Sequence, residues 1–249
     1  MSKTAFHVHT YRCGHAENIP DECYVKKALD LGIEDIWFTD HAPFPDNPFG
    51  HRMSYEQLDE YIRTLSALKK QYHSKINIHI GLETEYFLSY DKAGYYQQLH
   101  SMPELEMLLL GQHMAEMSPL KYSFSETEEY LSKNEHRLLG NAMIQGIKTG
   151  YFNAVAHPDR IFRRCTVWNT EMENSALEII NTAVLADIPL EMNLSSLENP
   201  KNYKKEFWQL VPDTAGRIVG LDAHFLCEME TRYTHLKERI ELFYQPTEK

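Results

Sequence analysis

The chain has 249 residues, 43% of them hydrophobic and 24% charged, an ordinary balance for one soluble domain spanning 1–249 with a sizeable core. Its formal net charge of −11 disfavours the basic surface that nucleic-acid binding draws on, and no apolar run approaches the ~18 residues of a membrane span. The N-terminus carries no apolar signal core, and Cys13, Cys23, Cys165 and Cys227 show no CxxC spacing. A disulfide framework is therefore not expected, and a reducing cytoplasm is the expected home.

Short apolar runs alternate with helix-period stretches along the whole chain. Residues 5–9 read as a strand, and 20–31, with a proline and acids in its first turn, as a helix. A strand at 35–40 leads into the longest irregular insertion, 42–53, which holds three prolines and Gly50 and lies where functional loops of barrels sit. A helix at 54–72, a strand at 76–83, a short helix at 92–100 and a strand at 107–112 follow. Then come a helix at 126–149, a strand at 154–157, a helix at 171–186, a strand at 189–194, a helix at 201–211, a strand at 217–222 and a helix at 229–243. Seven strands alternating with helices imply an α/β fold of parallel βαβ units, closed into a barrel or open as a wound sheet. No GxGxxG or GxxxxGK follows a strand, so a dinucleotide or P-loop site has no support.

Thirteen histidines are the unusual count, and their positions carry the chemistry. His7 and His9 are two apart on the first strand, where alternation puts both imidazoles on one face. They suit a shared ion, or equally a hydrogen-bonded pair lining a barrel. Recurrence separates the two readings. The second strand runs into Asp40-His41, the third into Glu83, the fourth into His113, the fifth into His157 and the seventh into Asp222-Ala223-His224. In a barrel those carboxyl ends share one rim, where barrel active sites lie. Imidazole and carboxylate without cysteine suit zinc, manganese or iron, and this many donors suit two or three divalent ions, two of them bridged by the two oxygens of Glu83. Water between such ions loses a proton near neutrality, its pKa falling from 15.7 to roughly 7, and the hydroxide is a nucleophile. The site reads as hydrolytic.

The run His7-Val8-His9-Thr10, Cys13-Gly14-His15, Asp40-His41, Gly81-Leu82-Glu83, His113, His157-Pro158 and Asp222-Ala223-His224 resembles the PHP (polymerase and histidinol phosphatase) superfamily over residues 7–224. The resemblance implies a distorted (β/α)7 barrel with a trinuclear centre. His7, His9, Glu83 and Asp222 would hold one ion, Glu83, His113 and His157 a second, and His15, His41 and His224 a third. Arg52-Met53-Ser54, Gly81-Leu82-Glu83-Thr84-Glu85-Tyr86 and His157-Pro158-Asp159-Arg160 are similar to the histidinol-phosphate phosphatase branch. Arg160 and Arg52 are accordingly expected to bind phosphate through the planar guanidinium fork. In the sixth-strand loop, Asn193-Leu194-Ser195-Ser196-Leu197-Glu198 places an acid where the branch carries a phosphate-binding arginine, with Lys201 and Lys204 as nearby cations. Histidinol phosphate is therefore expected to be a weak substrate beside another monoester.

The leading expectation is a phosphomonoesterase acting on a small phosphorylated metabolite through metal-bound hydroxide. A phosphodiesterase, nucleotide or phosphotyrosine phosphatase, or a metal-binding module without turnover, are the competing readings. Asp40 is expected behind the ligands, as a proton relay or as a structural hydrogen-bond partner. His51, His73, His79, His100, His136 and His235 lack the strand-end position; His79 reads as a packed, hydrogen-bonded histidine, and Cys13 as a small packed residue. Arg163 and Arg164 flank Arg160 as helpers or surface charge.

Overall fold

The structure, a computed structural model, describes residues 3–244. All seven expected strands form, and they assemble in chain order into one parallel sheet: β1 (Thr4–Val8), β2 (Asp35–His41), β3 (Asn77–Thr84), β4 (Met107–Leu110), β7 (Ala154–Val155), β8 (Leu190–Asn193) and β9 (Arg217–Gly220). A small antiparallel hairpin, β5 (Glu116–Ser118) and β6 (Lys121–Tyr122), lies between β4 and the next helix, outside this sheet. The sheet closes on itself past the end of β9. Leu221 N–H donates to Phe6 O at 2.8 Å, Ala223 N–H to His7 O at 3.0 Å, and His9 N–H to Ala223 O at 2.9 Å. Phe6 on β1 packs with Leu109 on β4 and Ala154 on β7, strands that are not its sheet neighbours, so this cluster fills the barrel interior. The closed α/β barrel is thus the arrangement adopted, and the wound sheet is not.

Helices α1 (Asp21–Asp30), α2 (Leu58–Tyr72), α5 (Glu128–Thr149) and α6 (Thr170–Leu185) follow the expected periods. Thr127 caps α5 by accepting from Tyr130 N–H at 3.3 Å, and Asn169 caps α6 by accepting from Glu171 and Met172 N–H at 2.9 and 3.2 Å. The stretch expected as one short helix at 92–100 is two, α3 (Leu88–Lys92) and α4 (Tyr95–His100). The helix expected at 201–211 shortens to α7 (Lys205–Leu210), and that at 229–243 divides into α8 (Leu226–Thr234) and α9 (Leu236–Glu241). Among the described residues no helix is long and apolar enough to cross a membrane.

The main core lies between the outer faces of the strands and these helices, with Leu65 of α2 fully buried among Ile36, Phe38 and Ile80 of the same cluster. Truncating such a residue loses transfer free energy and leaves a cavity, so Leu65→Ala is expected to cost ~2–5 kcal/mol. Urea unfolding checks this: a lowered midpoint at unchanged slope is expected, and a change below ~1 kcal/mol would mean the site collapses around the truncation.

Candidate metal centre

The strand ends converge on Glu83, which is 1% exposed. Its Oε2 lies 3.3 Å from His7 Nε2, 3.7 Å from His9 Nε2 and 3.0 Å from His41 Nδ1. Its Oε1 lies 2.8 Å from His157 Nε2 and 3.5 Å from His113 Nε2. Asp222 Oδ1 completes the first group, 3.4 Å from His9 Nε2, 3.9 Å from His7 Nε2 and 3.6 Å from His224 Nδ1. His15 is exposed, with its ring 4.6 Å from that of His224 and 5.3 Å from that of His41. All nine residues expected as ligands are therefore gathered at one end of the barrel.

Their ligand atoms form the groups His7–His9–Asp222, His41–Glu83–His113 and His9–His41–His224, each within 4.8 Å. The third grouping departs from the implied set of His15, His41 and His224: His9 joins the latter two, while His15 groups with Cys13 and His224. Cys13 itself is fully buried, and burial followed by the nearby Asp40 charge pushes its thiol up to about 12, as suits a packed residue.

A divalent cation fits this donor set. His7 Nε2, both ring nitrogens of His9, Glu83 Oε2 and His224 Nε2 are buried without a hydrogen-bond partner. Leaving buried polar atoms unpaired is costly, and imidazole with carboxylate is the pairing borderline divalent ions favour. The barrel also makes room for its acids. A β-carbon at Gly111 would overlap the Glu83 carboxylate, and one at Gly220 that of Glu191.

Convergence is not reached by simple strand alternation. The register of β1 is broken between Ala5 and Val8, and His7 has φ 67°. His157 and Asp222, just beyond β7 and β9, also lie at positive φ, 29° and 49°. These local conformations turn the side chains into the site.

Sequence reasoning placed Asp40 behind the ligands but missed two further acids there. Glu191, on β8 and fully buried, places Oε1 2.6 Å from His7 Nδ1 while Oε2 accepts from His157 N–H at 2.9 Å. Glu85 Oε1 lies 3.0 Å from His113 Nδ1. The available signal was an acid in the middle of an apolar strand, and a second acid at the parity of Glu83. Asp40 is buried behind His9, with Oδ1 3.5 Å from His9 Nδ1, Oδ1 also accepting from His41 N–H at 2.9 Å, and Oδ2 accepting from the Thr10 hydroxyl. Arg12 extends this chain, donating to Thr10 Oγ1 at 3.1 Å and to Asp21 at 2.8 Å.

The arginines sort differently from expectation. Arg52 does not offer its fork to solvent: it donates to both oxygens of Glu85 at 3.0 and 3.1 Å and to Ala42 O at 3.1 Å, so it steadies Glu85 and hence His113. Arg163 and Arg164 are both paired with Glu135. Glu198 is taken up by Arg232 at 2.7 Å and Arg239 at 2.7 Å, so its charge is neutralised. Lys204 donates through its side chain to Cys165 O at 3.4 Å. His79 is packed as expected, stacked on Trp37 and bonded to Glu106 at 2.8 Å, and His136 meets Glu171 at 2.8 Å. His51 touches only the edge of the centre, its ring 5.6 Å from that of His15.

Charge in the centre is set by burial against close opposite charge. Burial pushes His7 down, but Glu191, Glu83 and Asp222 outweigh it and hold the imidazole well above its ordinary range. Burial likewise opposes protonation of His9, yet Asp222 and Asp40 raise it to about 9. Burial lowers His41 to about 3 and His224 to about 2, with the His9 charge adding to it and only partly offset by Glu83 and Asp222 respectively. Burial alone would raise Glu83, but His113, His7 and His41 hold it well below the usual carboxylate range.

Both raised imidazoles bind protons below their pKa values, so a divalent ion reaching them displaces those protons and is favoured as pH rises. Apparent affinity of the metal-stripped chain is therefore expected to fall by up to about a hundredfold per unit of acidification while both are protonated. Manganese titrations between about pH 6 and 8 with proton release recorded would check this; an isotherm independent of pH would contradict the assignment.

A family model, the PHP domain, matches residues 5–195. The "probable histidinol-phosphatase" of Deinococcus radiodurans is 31% identical in an alignment covering 94% of this chain and 91% of that protein. The histidinol-phosphatase of Bacillus subtilis is 36% identical over a shorter stretch, 36% of each chain. Among solved structures, a Listeria monocytogenes protein assigned as a histidinol phosphatase superposes with a TM-score of 0.75 at 18% identity, covering 93% of this chain and 98% of that one. The Lactococcus lactis histidinol phosphate phosphatase, complexed with zinc, L-histidinol and phosphate, gives a TM-score of 0.71 at 20% identity, covering 96% and 94%. Motif order, barrel and full-length relatives agree: the chain belongs to the PHP domain family, in its histidinol-phosphatase branch.

Proposed function

We propose that this chain is a metal-dependent phosphomonoesterase whose substrate is histidinol phosphate. Its relatives bear that activity in their names, and the Lactococcus enzyme holds L-histidinol and phosphate, the two products of such a hydrolysis. The observation that carries the reading within this chain is Arg160. It lies in the turn Pro158–Phe162 that leaves His157, its Nε is buried without a partner, and no carboxylate pairs with it among the described residues. Burial, joined by the charge of Arg160, holds His113 below the ordinary imidazole range against the pull of Glu83 and Glu85. An unpaired guanidinium beside a cluster of metal-type ligands is a seat for an anion carrying two or more oxygens.

The nine donors suit two or three divalent ions of the zinc, manganese or iron type. When bound, such ions supply Lewis-acid charge and lower the pKa of their water from 15.7 to about 7. In the hydrolysis a water oxygen forms a bond to phosphorus while the bond from phosphorus to the alcohol oxygen breaks, giving the alcohol and inorganic phosphate. Arg160 binds the phosphoryl oxygens and neutralises the charge that grows on them. Asp40 and Glu85 hold the His9 and His113 rings in place. The expectation that Glu198 weakens turnover of histidinol phosphate loses its ground, because Arg232 and Arg239 already neutralise that acid.

A phosphate-release screen on manganese-, zinc- and iron-loaded protein tests the reading. Histidinol phosphate is expected to exceed phosphotyrosine, nucleoside monophosphates and phosphodiesters in kcat/KM, and absence of monoesterase activity with every metal would refute it. Losing a hydrogen bond to a charged group costs ~1.5–3 kcal/mol, so Arg160→Ala should lower kcat/KM by roughly tenfold to somewhat over a hundredfold with metal content intact. Arg160→Lys should recover only part of this, and an Arg160→Ala variant within about twofold of the parent would remove Arg160 from the phosphate site.

A further inference from the structure

Three residues of the centre hold a backbone conformation that side-chain-bearing residues rarely adopt: His7, His157 and Asp222, at φ 67°, 29° and 49°. Such conformations persist where the surrounding structure over-determines them. The three lie on separate segments, in β1, after β7 and after β9, and one buried pair on β8 touches all of them. Glu191 Oε1 lies 2.6 Å from His7 Nδ1, and Glu191 Oε2 accepts from His157 N–H at 2.9 Å. Asn193 Nδ2 donates to Glu191 Oε2 at 3.0 Å and to Asp222 Oδ2 at 3.2 Å. The Asn193 amide is itself oriented, because its Oδ1 accepts from Ser196 N–H at 2.9 Å.

We propose that Glu191, relayed to Asp222 by Asn193, is the positioning residue that holds three ligand-bearing segments in their site conformation and thereby sets the affinity of the centre for its ions. The proposal rests on the metal-site reading given above. Glu191 is not itself placed as a ligand: both its oxygens are engaged, one on the Nδ1 side of His7 and the other by two N–H donors. By engaging Nδ1 it leaves His7 Nε2 as the free donor, and that atom is the one facing Glu83 and Asp222. A carboxylate is needed because Oε2 meets only donors. Glutamine keeps the volume but has one oxygen for the two positions, so either His7 loses its acceptor or an amide N–H₂ confronts His157 N–H. Gly220 on the neighbouring strand leaves the space the carboxylate fills.

The test is equilibrium dialysis of metal-stripped wild type and Glu191→Gln against manganese, with phosphate release from histidinol phosphate measured in parallel. Outer partners of metal ligands typically contribute ~10–100-fold in affinity, and a loss of that size is expected, with stoichiometry and most of kcat regained at high manganese. Wild-type affinity in folded Glu191→Gln overturns the proposal, as does a kcat that stays depressed at full occupancy. Should Glu191→Gln fail to fold, Asn193→Ser removes the relay to Asp222 together with the Ser196 contact and leaves Glu191 on His7 and His157: a several-fold loss of affinity supports the proposal and an unchanged isotherm overturns it. Dialysis does not depend on the substrate, so a chain that shows the Glu191 effect yet hydrolyses no phosphomonoester refutes the proposed function alone.

Discussion

Glu83 carries its carboxylate into the carboxyl end of a closed barrel, at 1% exposure, where water hardly reaches it. A lone buried carboxylate is penalised by several kcal/mol, and close opposite charge is what makes it tolerable. Five imidazoles, among them the firmly protonated His7 and His9, surround it, three on one oxygen and two on the other. They arrive from β1, β2 and the segments after β4 and β7, so the acid is stabilised only when the strands are side by side. The packing of the sheet and the chemistry of the centre are in this sense one constraint.

The same rule repeats one layer further out. His7 is backed by Glu191, His9 by Asp40 and His113 by Glu85, each an acid at most 1% exposed. Those acids are in turn held by donors: Asn193 and a backbone N–H for Glu191, Thr10 for Asp40, Arg52 for Glu85. An acid behind an imidazole fixes which nitrogen faces the centre and makes the ring a stronger donor. Arg52, Arg163 and Arg164 are thus occupied in holding acids, whereas Arg160 has no carboxylate partner among the described residues.

Much of this was readable in the chain itself because ligands fall at strand ends, and apolar runs ending in His, Asp or Glu announce both at once. The nine donors came from that pattern and from motif order. What escaped it depends on partners distant in sequence. Arg52 looks like a phosphate clamp until Glu85, 33 residues away, is seen to hold its fork. Glu198 looks like a misplaced acid until Arg232 and Arg239, 34 and 41 residues on, neutralise it. The left-handed turns at His7, His157 and Asp222 carry no glycine to advertise them, since tertiary contacts impose them. The β5–β6 hairpin has strands of three and two residues, too short for any periodicity to show.

Closure of the sheet joins the first strand to the last, and the donors obey the same geography: His7 and His9 meet Asp222 and His224 from opposite ends of the chain. During synthesis the early histidines emerge long before their partners, and the ribosome must reach His224 before the ligand set is complete. Until then His7 and His9 lack Asp222 and His224, the partners that complete their groups. Contacts so distant in sequence form late and slowly, because loop closure must precede the interactions that reward it. The donors of β1 and of the segment after β9 accordingly come together only when the barrel closes.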